Sequence, residues 1–79
     1  MQFTAAINEA DKIFRFHGYS GVGEVFEAPT GWIFDPNINH VEYGALQVYI
    51  SKNNGKPRAF NPNVEEDYEI LKNAKKISV

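Results

Sequence analysis

The residues that decide the fold are Leu46–Phe60, which read LQVYISKNNGKPRAF. Apolar and polar side chains alternate along the first arm, an Asn-Asn-Gly sequence follows, and a shorter arm returns. Alternation on both sides of a glycine-containing turn is a strong signal for a β-hairpin. The stretch therefore predicts two antiparallel strands.

The length of the loop decides which side chains share a face of this hairpin. A two-residue loop at Asn54 and Gly55 places Ile50 opposite Ala59 and gives the apolar face small partners. A three-residue loop that ends at a left-handed Gly55 pairs Ile50 with Arg58, whose aliphatic stem can cover apolar surface. We favour the three-residue loop because it leaves a better core.

Pro57 gives the position of the second arm in the sheet. In the favoured register it lies opposite Ser51. Proline has no backbone N–H and cannot donate to a strand ladder on that side. We therefore expect the returning arm to be an edge strand.

The flanking segments supply two amphipathic helices and a second hairpin. Apolar residues recur at helical spacing in the first helix and again at Val64, Tyr68 and Leu71, with Ala74 or Ile77 as further members of that stripe. The pattern predicts a first helix over Thr4–His17, with Thr4 as its N-cap and Gly18 as the residue that ends it. Two strands follow, Val22–Ala28 and Trp32–Phe34. The second helix is predicted after the hairpin, with Asn63 as its N-cap.

Together these elements predict one α+β domain over residues 1–79. The order is helix, four-stranded antiparallel meander, helix, in two layers. Both helices need an apolar surface, so we expect them to cover one face of the sheet. The other face is then left to solvent or to a partner.

Composition narrows the functional classes. The net charge of −2 argues against nucleic acid as a partner, since phosphate binding needs clustered lysine and arginine. The chain has no cysteine and no apolar run that could act as a signal peptide or membrane span, so we expect a cytoplasmic protein. Six phenylalanines, four tyrosines and one tryptophan favour a protein contact.

Catalytic chemistry has little support in the sequence. The histidines lie at a helix end and in a polar loop, without a nucleophile elbow or metal-ligand spacing. Asp35, His40 and Glu42 could form an acid/base or metal cluster only if the fold brought them together. We predict a protein that is not an enzyme and holds neither a cofactor nor a metal ion.

Two regions are candidates for protein contact instead. One is the polar loop after the second strand, and the other is the sheet face opposite Val48 and Ile50. Trp32 shares a face with Phe34 and is either a core residue or an exposed anchor. The candidate protein-binding residues are Asp35, Asn37, Asn39, His40, Glu42, Tyr43, Gln47 and Tyr49.

The segments Gly31–Phe34 and Val48–Lys56, which follow an amphipathic helix, resemble the YrhB-like immunity proteins of bacterial polymorphic toxin systems. The likeness covers the middle half of the chain. Ser51 stands where those proteins commonly have an acidic residue. The resemblance implies a protein that neutralises a cognate toxin by binding it, without catalysis or a cofactor.

The sequence therefore leads to a non-enzymatic protein-binding module, an immunity-type inhibitor of a toxin. The alternative is a structural or regulatory domain that self-associates through its open sheet face or an edge strand. The first reading gives a monomer that binds another protein, and the second gives a homodimer.

Overall fold

The computed structural model describes residues 1–38 and 44–78. The elements are α1 (Phe3–Phe16), β1 (Val22–Ala28), β2 (Gly31–Pro36), β3 (Val48–Ser51), β4 (Pro57–Ala59), α2 (Glu65–Lys72) and β5 (Lys75–Ile77). All strand pairs are antiparallel, and the order across the sheet is β4-β3-β2-β1-β5. The α+β class, the four-strand meander and the edge position of Pro57 are confirmed.

The ends of both helices differ from the predicted caps. Gln2 is the N-cap of α1 and Val64 is the N-cap of α2, and neither makes a side-chain capping hydrogen bond. Thr4 and Asn63 were therefore wrong as caps. Gly18 does end α1 with a φ of +92°, as the sequence predicts for a glycine after a helix.

The fifth strand was not predicted. Ala74 and Ile77 were expected to extend the apolar stripe of the second helix, but the helix ends at Lys72. The chain then pairs with β1, with Val25 opposite Ile77 and Phe26 opposite Lys76. This pairing covers three of the seven residues of β1 and so shortens an otherwise long unpaired edge.

The hairpin loop is longer than either predicted register allowed. Val48 lies opposite Ala59 and Ile50 opposite Pro57, which leaves four residues, 52–55, in the loop. Gly55 is left-handed as predicted, with a φ of +66°, and its N–H donates to the Ser51 carbonyl at 3.0 Å. A shift of one residue moves a side chain to the other face, so Arg58 lies beside Tyr49 and not beside Ile50.

The larger core lies between α1 and one face of the sheet. Ala6, Ala10 and Phe14 of α1 are fully buried at helical spacing. They pack with sheet residues that alternate along three strands, namely Val25, Trp32, Phe34, Val48 and Ile50. Trp32 is 5% exposed and its ring centroid lies 5.7 Å from that of Phe3. Trp32 is therefore a core residue, and it shares a face with Phe34 as predicted.

The opposite face of the sheet is covered too. Ile33 and Tyr49 form a second core with Phe60, and Ile70 of α2 packs against it. The two helices therefore lie on opposite faces, and the expectation that both cover one face is wrong. The physical reason is that Ile33 and Tyr49, which alternate with the residues under α1, also need burial, so the sheet must be covered on both sides.

Candidate protein-binding surface

The orientation of α2 depends on a buried carboxylate. Asp67 is 4% exposed and accepts three hydrogen bonds. Two come from the Arg58 guanidinium, at 2.7 Å from Nη2 and 3.0 Å from Nη1, and the third comes from the Asn61 backbone N–H at 2.8 Å. A bidentate arginine–carboxylate pair fixes direction as well as distance. Asp67 therefore turns one side of α2 toward β4.

Tyr49 belongs to the same arrangement. Its ring stacks on Phe60 with centroids 6.2 Å apart, and the guanidinium carbon of Arg58 lies 4.8 Å from its centroid. Its hydroxyl donates to Thr30 Oγ1 at 2.6 Å. Tyr49 is only 5% exposed. The expectation that Tyr49 lies on an open face is therefore wrong, because α2 and Arg58 cover that face.

Arg58 and Asp67 each stabilise the charged form of the other. The hydrogen bonds from Arg58 hold the pKa of the Asp67 carboxyl below its ordinary value, although burial opposes the effect. The same hydrogen bonds raise the pKa of Arg58. Because the pKa of Asp67 is lowered, its contribution to stability is present above the ordinary carboxyl pKa and is lost as the pH falls through the folded value.

With Asp67 and Ile70 facing the sheet, the predicted apolar stripe is left outside. Val64 is 48% exposed, Tyr68 55% and Leu71 36%. At 3.6 residues per turn, these three positions lie roughly 90° around the helix from Asp67 and Ile70. We call Val64, Tyr68 and Leu71 the α2 strip. The amphipathic pattern was recognised correctly, but the assignment of this stripe to the core is wrong.

The α2 strip has charged side chains of both signs beside it. Glu65, Glu66 and Asp67 stand in the first turn of α2 and Lys72 in the last, an order that suits the helix dipole. Glu65 and Lys72 are both exposed, and the Lys72 ammonium lies 3.9 Å from Glu69 Oε2 in an exposed pair that another carboxylate can join or replace at low cost. They are seven residues apart, which is close to two full turns, so they lie on the same side of the strip. The surface therefore has an apolar centre and opposite charges at its two ends.

The structure brings together two of the sequence-predicted candidates, Asp35 and Gln47. Both are half-buried, Asp35 on β2 and Gln47 directly before β3, and Gln47 Nε2 donates to Asp35 Oδ1 at 2.7 Å. Burial raises the pKa of Asp35; the hydrogen bond from Gln47 opposes this rise, and the nearby Glu24 adds to it. This hydrogen bond links β2 to the residue that precedes β3.

Replacing Asp35 with asparagine is expected to raise the free energy of unfolding at pH 7. The pKa of Asp35 is raised, so its ionised form is disfavoured in the folded state. The protonated carboxyl therefore contributes its whole stabilisation below the ordinary pKa of 3.8, and the protein loses that contribution as the pH rises through the folded pKa. Asparagine keeps an oxygen for Gln47 without the charge. Urea titrations at pH 7 and pH 3 measure the effect.

The gain should disappear at pH 3, where Asp35 of the unmodified protein is protonated. Glu66→Gln, which removes an exposed carboxylate, serves as the matched control. A variant at Asp35 that is less stable than the parent at pH 7 would contradict the burial argument.

The other predicted candidates separate into two groups. Asn37 is exposed, its backbone N–H donates to the Gly21 carbonyl at 2.8 Å, and its own carbonyl accepts from Ser20 Oγ at 3.4 Å. These bonds attach the chain after β2 to the start of β1. The remaining candidates lie outside the described residues, namely Asn39, His40, Glu42 and Tyr43.

A groove of about 300 Å³ lies at the turn between β1 and β2, beside β5. Lys52, Asn73 and Lys75 contribute to its wall. The Lys52 ammonium is 2.8 Å from Glu27 Oε2 and 5.5 Å from the centroid of the Trp32 ring. The Lys52 ammonium is already paired with Glu27, which also lines the groove, so neither charge is free to bind a ligand there. The exposed residues of α2 are therefore the better candidate for a binding site.

Within residues 1–38 and 44–78, no three histidine, aspartate or glutamate side chains group as metal ligands, and neither helix has the length and apolarity of a membrane span. Comparison of the chain with protein-family models, with curated proteins and with solved structures finds no significant match.

Proposed function

We propose that this chain is a protein-binding domain without catalytic activity, and that the α2 strip is its contact surface. The observation that carries the proposal is the outward position of Val64, Tyr68 and Leu71 on a helix that buries a carboxylate instead. Adjacent exposed apolar side chains with charged neighbours are typical of protein interfaces. Tyrosine contributes a large contact area at low entropic cost.

The resemblance to YrhB-like immunity proteins extends this proposal to a partner. In that form the chain is a cytoplasmic inhibitor that binds a cognate bacterial toxin. The exposed carboxylates of α2 at Glu65, Glu66 and Glu69 would favour a basic patch on the partner through complementary charge. The alternative is a self-associating structural or regulatory domain, and the mixed charges around the α2 strip favour it.

Photo-cross-linking in the native host tests the proposal. Tyr68 is replaced by the photo-reactive residue benzoylphenylalanine, and the adducts are identified by mass spectrometry. We expect an adduct with a defined protein partner at this position, because a bound protein would contact the centre of the α2 strip. Under the immunity hypothesis, that partner is a toxin encoded near the gene.

Phe16 provides the matched control, since it is an aromatic residue on α1 that is 87% exposed. The same photo-reactive residue at position 16 should not give the adduct seen at position 68. Equal labelling at both positions, or none at position 68, would contradict the proposal. An adduct consisting only of two copies of the chain would favour the alternative.

A further inference from the structure

We propose that the α2 strip binds the α2 strip of a second copy, with the two helices antiparallel about a two-fold axis. The inference rests on the proposed function, because it names a partner for the same surface. A two-fold axis requires a surface that is complementary to itself. The order of charges along α2 meets that requirement.

The geometry follows from an axis that passes beside Tyr68. The two Tyr68 rings then meet at the centre, and Val64 of one copy lies level with Lys72 of the other. Glu65 follows Val64 by one residue and lies on the same side of the helix as Lys72, so Glu65 of one copy comes next to Lys72 of the other. Each copy thus supplies one carboxylate and one ammonium group, and the dimer contains two equivalent Glu65–Lys72 pairs.

Other routes to a homodimer are less favourable in this fold. One free edge of the sheet is β4, where Pro57 cannot donate a backbone hydrogen bond. The other is β5, where Lys75 and Lys76 are both exposed and would approach the same residues of a second copy. Both sheet faces are covered by helices. Of the large exposed apolar side chains in residues 1–38 and 44–78, three lie together in the α2 strip, whereas Met1 and Phe16 lie elsewhere.

The expected dimer is weak. A helix of eight residues covers less surface than the interfaces of about 1,200 Å² or more that form stable complexes. We therefore expect a dissociation constant on the order of 100 µM. At this affinity a tighter protein partner could displace the second copy from the same surface.

Sedimentation equilibrium of the whole chain tests the inference. The concentrations run from about 10 µM to about 1 mM, on both sides of the expected dissociation constant, and two charge-reversal variants are compared with the parent. Glu65→Lys and Lys72→Glu each create two repulsive pairs in their homodimers, and each should weaken self-association at least about tenfold. An equimolar mixture of the two variants places lysine pairs opposite glutamate pairs. We expect the mixture to form a heterodimer at least as stable as the parent dimer.

Two controls separate the interface from the fold. Lys56→Glu changes an exposed charge in the hairpin and should leave self-association unchanged. Each reversal on α2 opposes the helix dipole, so circular dichroism checks that the helix is kept. Should a reversal unfold α2, Tyr68→Ser replaces it, and the expected result is a monomer at all concentrations.

The outcomes also separate this inference from the proposed function. A parent chain that is monomeric at about 1 mM, or a mixture that does not associate, would overturn the second-copy inference. If position 68 still cross-links to another protein, the proposed function stands without it. If neither self-association nor a cross-link is found, both are overturned.

Discussion

Replacing Arg58 with methionine is expected to lower the free energy of unfolding at pH 7 by about 3–5 kcal/mol, because the buried Asp67 carboxylate loses its counter-ion and two of its three hydrogen bonds. Asp67→Asn should cost less, since the remaining Arg58 side chain is 42% exposed and can be hydrated. Urea denaturation followed by circular dichroism measures both values.

Lys56→Met is the matched control, because it removes an exposed cation two residues away. The loss caused by Arg58→Met should shrink as the pH falls below the ordinary carboxyl pKa of 3.8. Below that pH the parent loses the stability linked to the lowered pKa of Asp67, while in the variant the protonated carboxyl is no longer penalised by burial. A loss that is small at pH 7, or that grows in acid, would contradict the assigned role of the pair.

Phe14→Ala is expected to cost about 3–5 kcal/mol, because the ring is fully buried between α1 and the sheet and its removal leaves a cavity. A domain of 79 residues is stable by roughly 4–12 kcal/mol, so this variant should lose about a quarter or more of the total and unfold at a markedly lower temperature. Thermal denaturation followed by tryptophan fluorescence of Trp32 measures the change.

Phe16→Ala makes the same chemical change two residues later on α1, at a side chain that is 87% exposed. It should leave the free energy of unfolding within about 0.5 kcal/mol of the parent. Similar losses at positions 14 and 16 would show that the face of α1 has been assigned wrongly.

Local signals in the sequence were sufficient for several elements. The strand Val22–Ala28 has the predicted bounds, and α1 begins and ends within one residue of the prediction. Gly18 and Gly55 adopt the left-handed conformations that their positions indicate. In each case the deciding interaction lies within a few residues of the chain, so periodicity and turn chemistry suffice.

The errors concern interactions between distant residues. The pairing of β5 with β1 joins segments some fifty residues apart, and Lys75–Ile77 is too short and polar to be recognised as a strand by itself. The hairpin register depends on Arg58, which reaches Asp67 on a different element. A one-residue change of loop length decides this contact, and no local rule shows it.

The candidate site was missed for a related reason. Val64, Tyr68 and Leu71 have the spacing of a core-facing stripe, so the helical pattern assigns them to the interior. The buried ion pair rotates α2 away from that arrangement. A usable signal existed in the two charged residues Arg58 and Asp67, since a cation in a short strand and a carboxylate in the next helix can pair across the connection.

The central claim of this account is that Asp67 and Ile70 face the sheet while the α2 strip faces outward. Nuclear Overhauser contacts in the unmodified protein, at about 50 µM or less, where most chains are monomeric at the expected dissociation constant, test it most directly. We predict contacts from the Ile70 methyl groups to the rings of Tyr49 and Phe60, and none from Tyr68 to the sheet. Contacts from the Tyr68 ring to Tyr49 or Phe60, with Ile70 free of them, would contradict the claim.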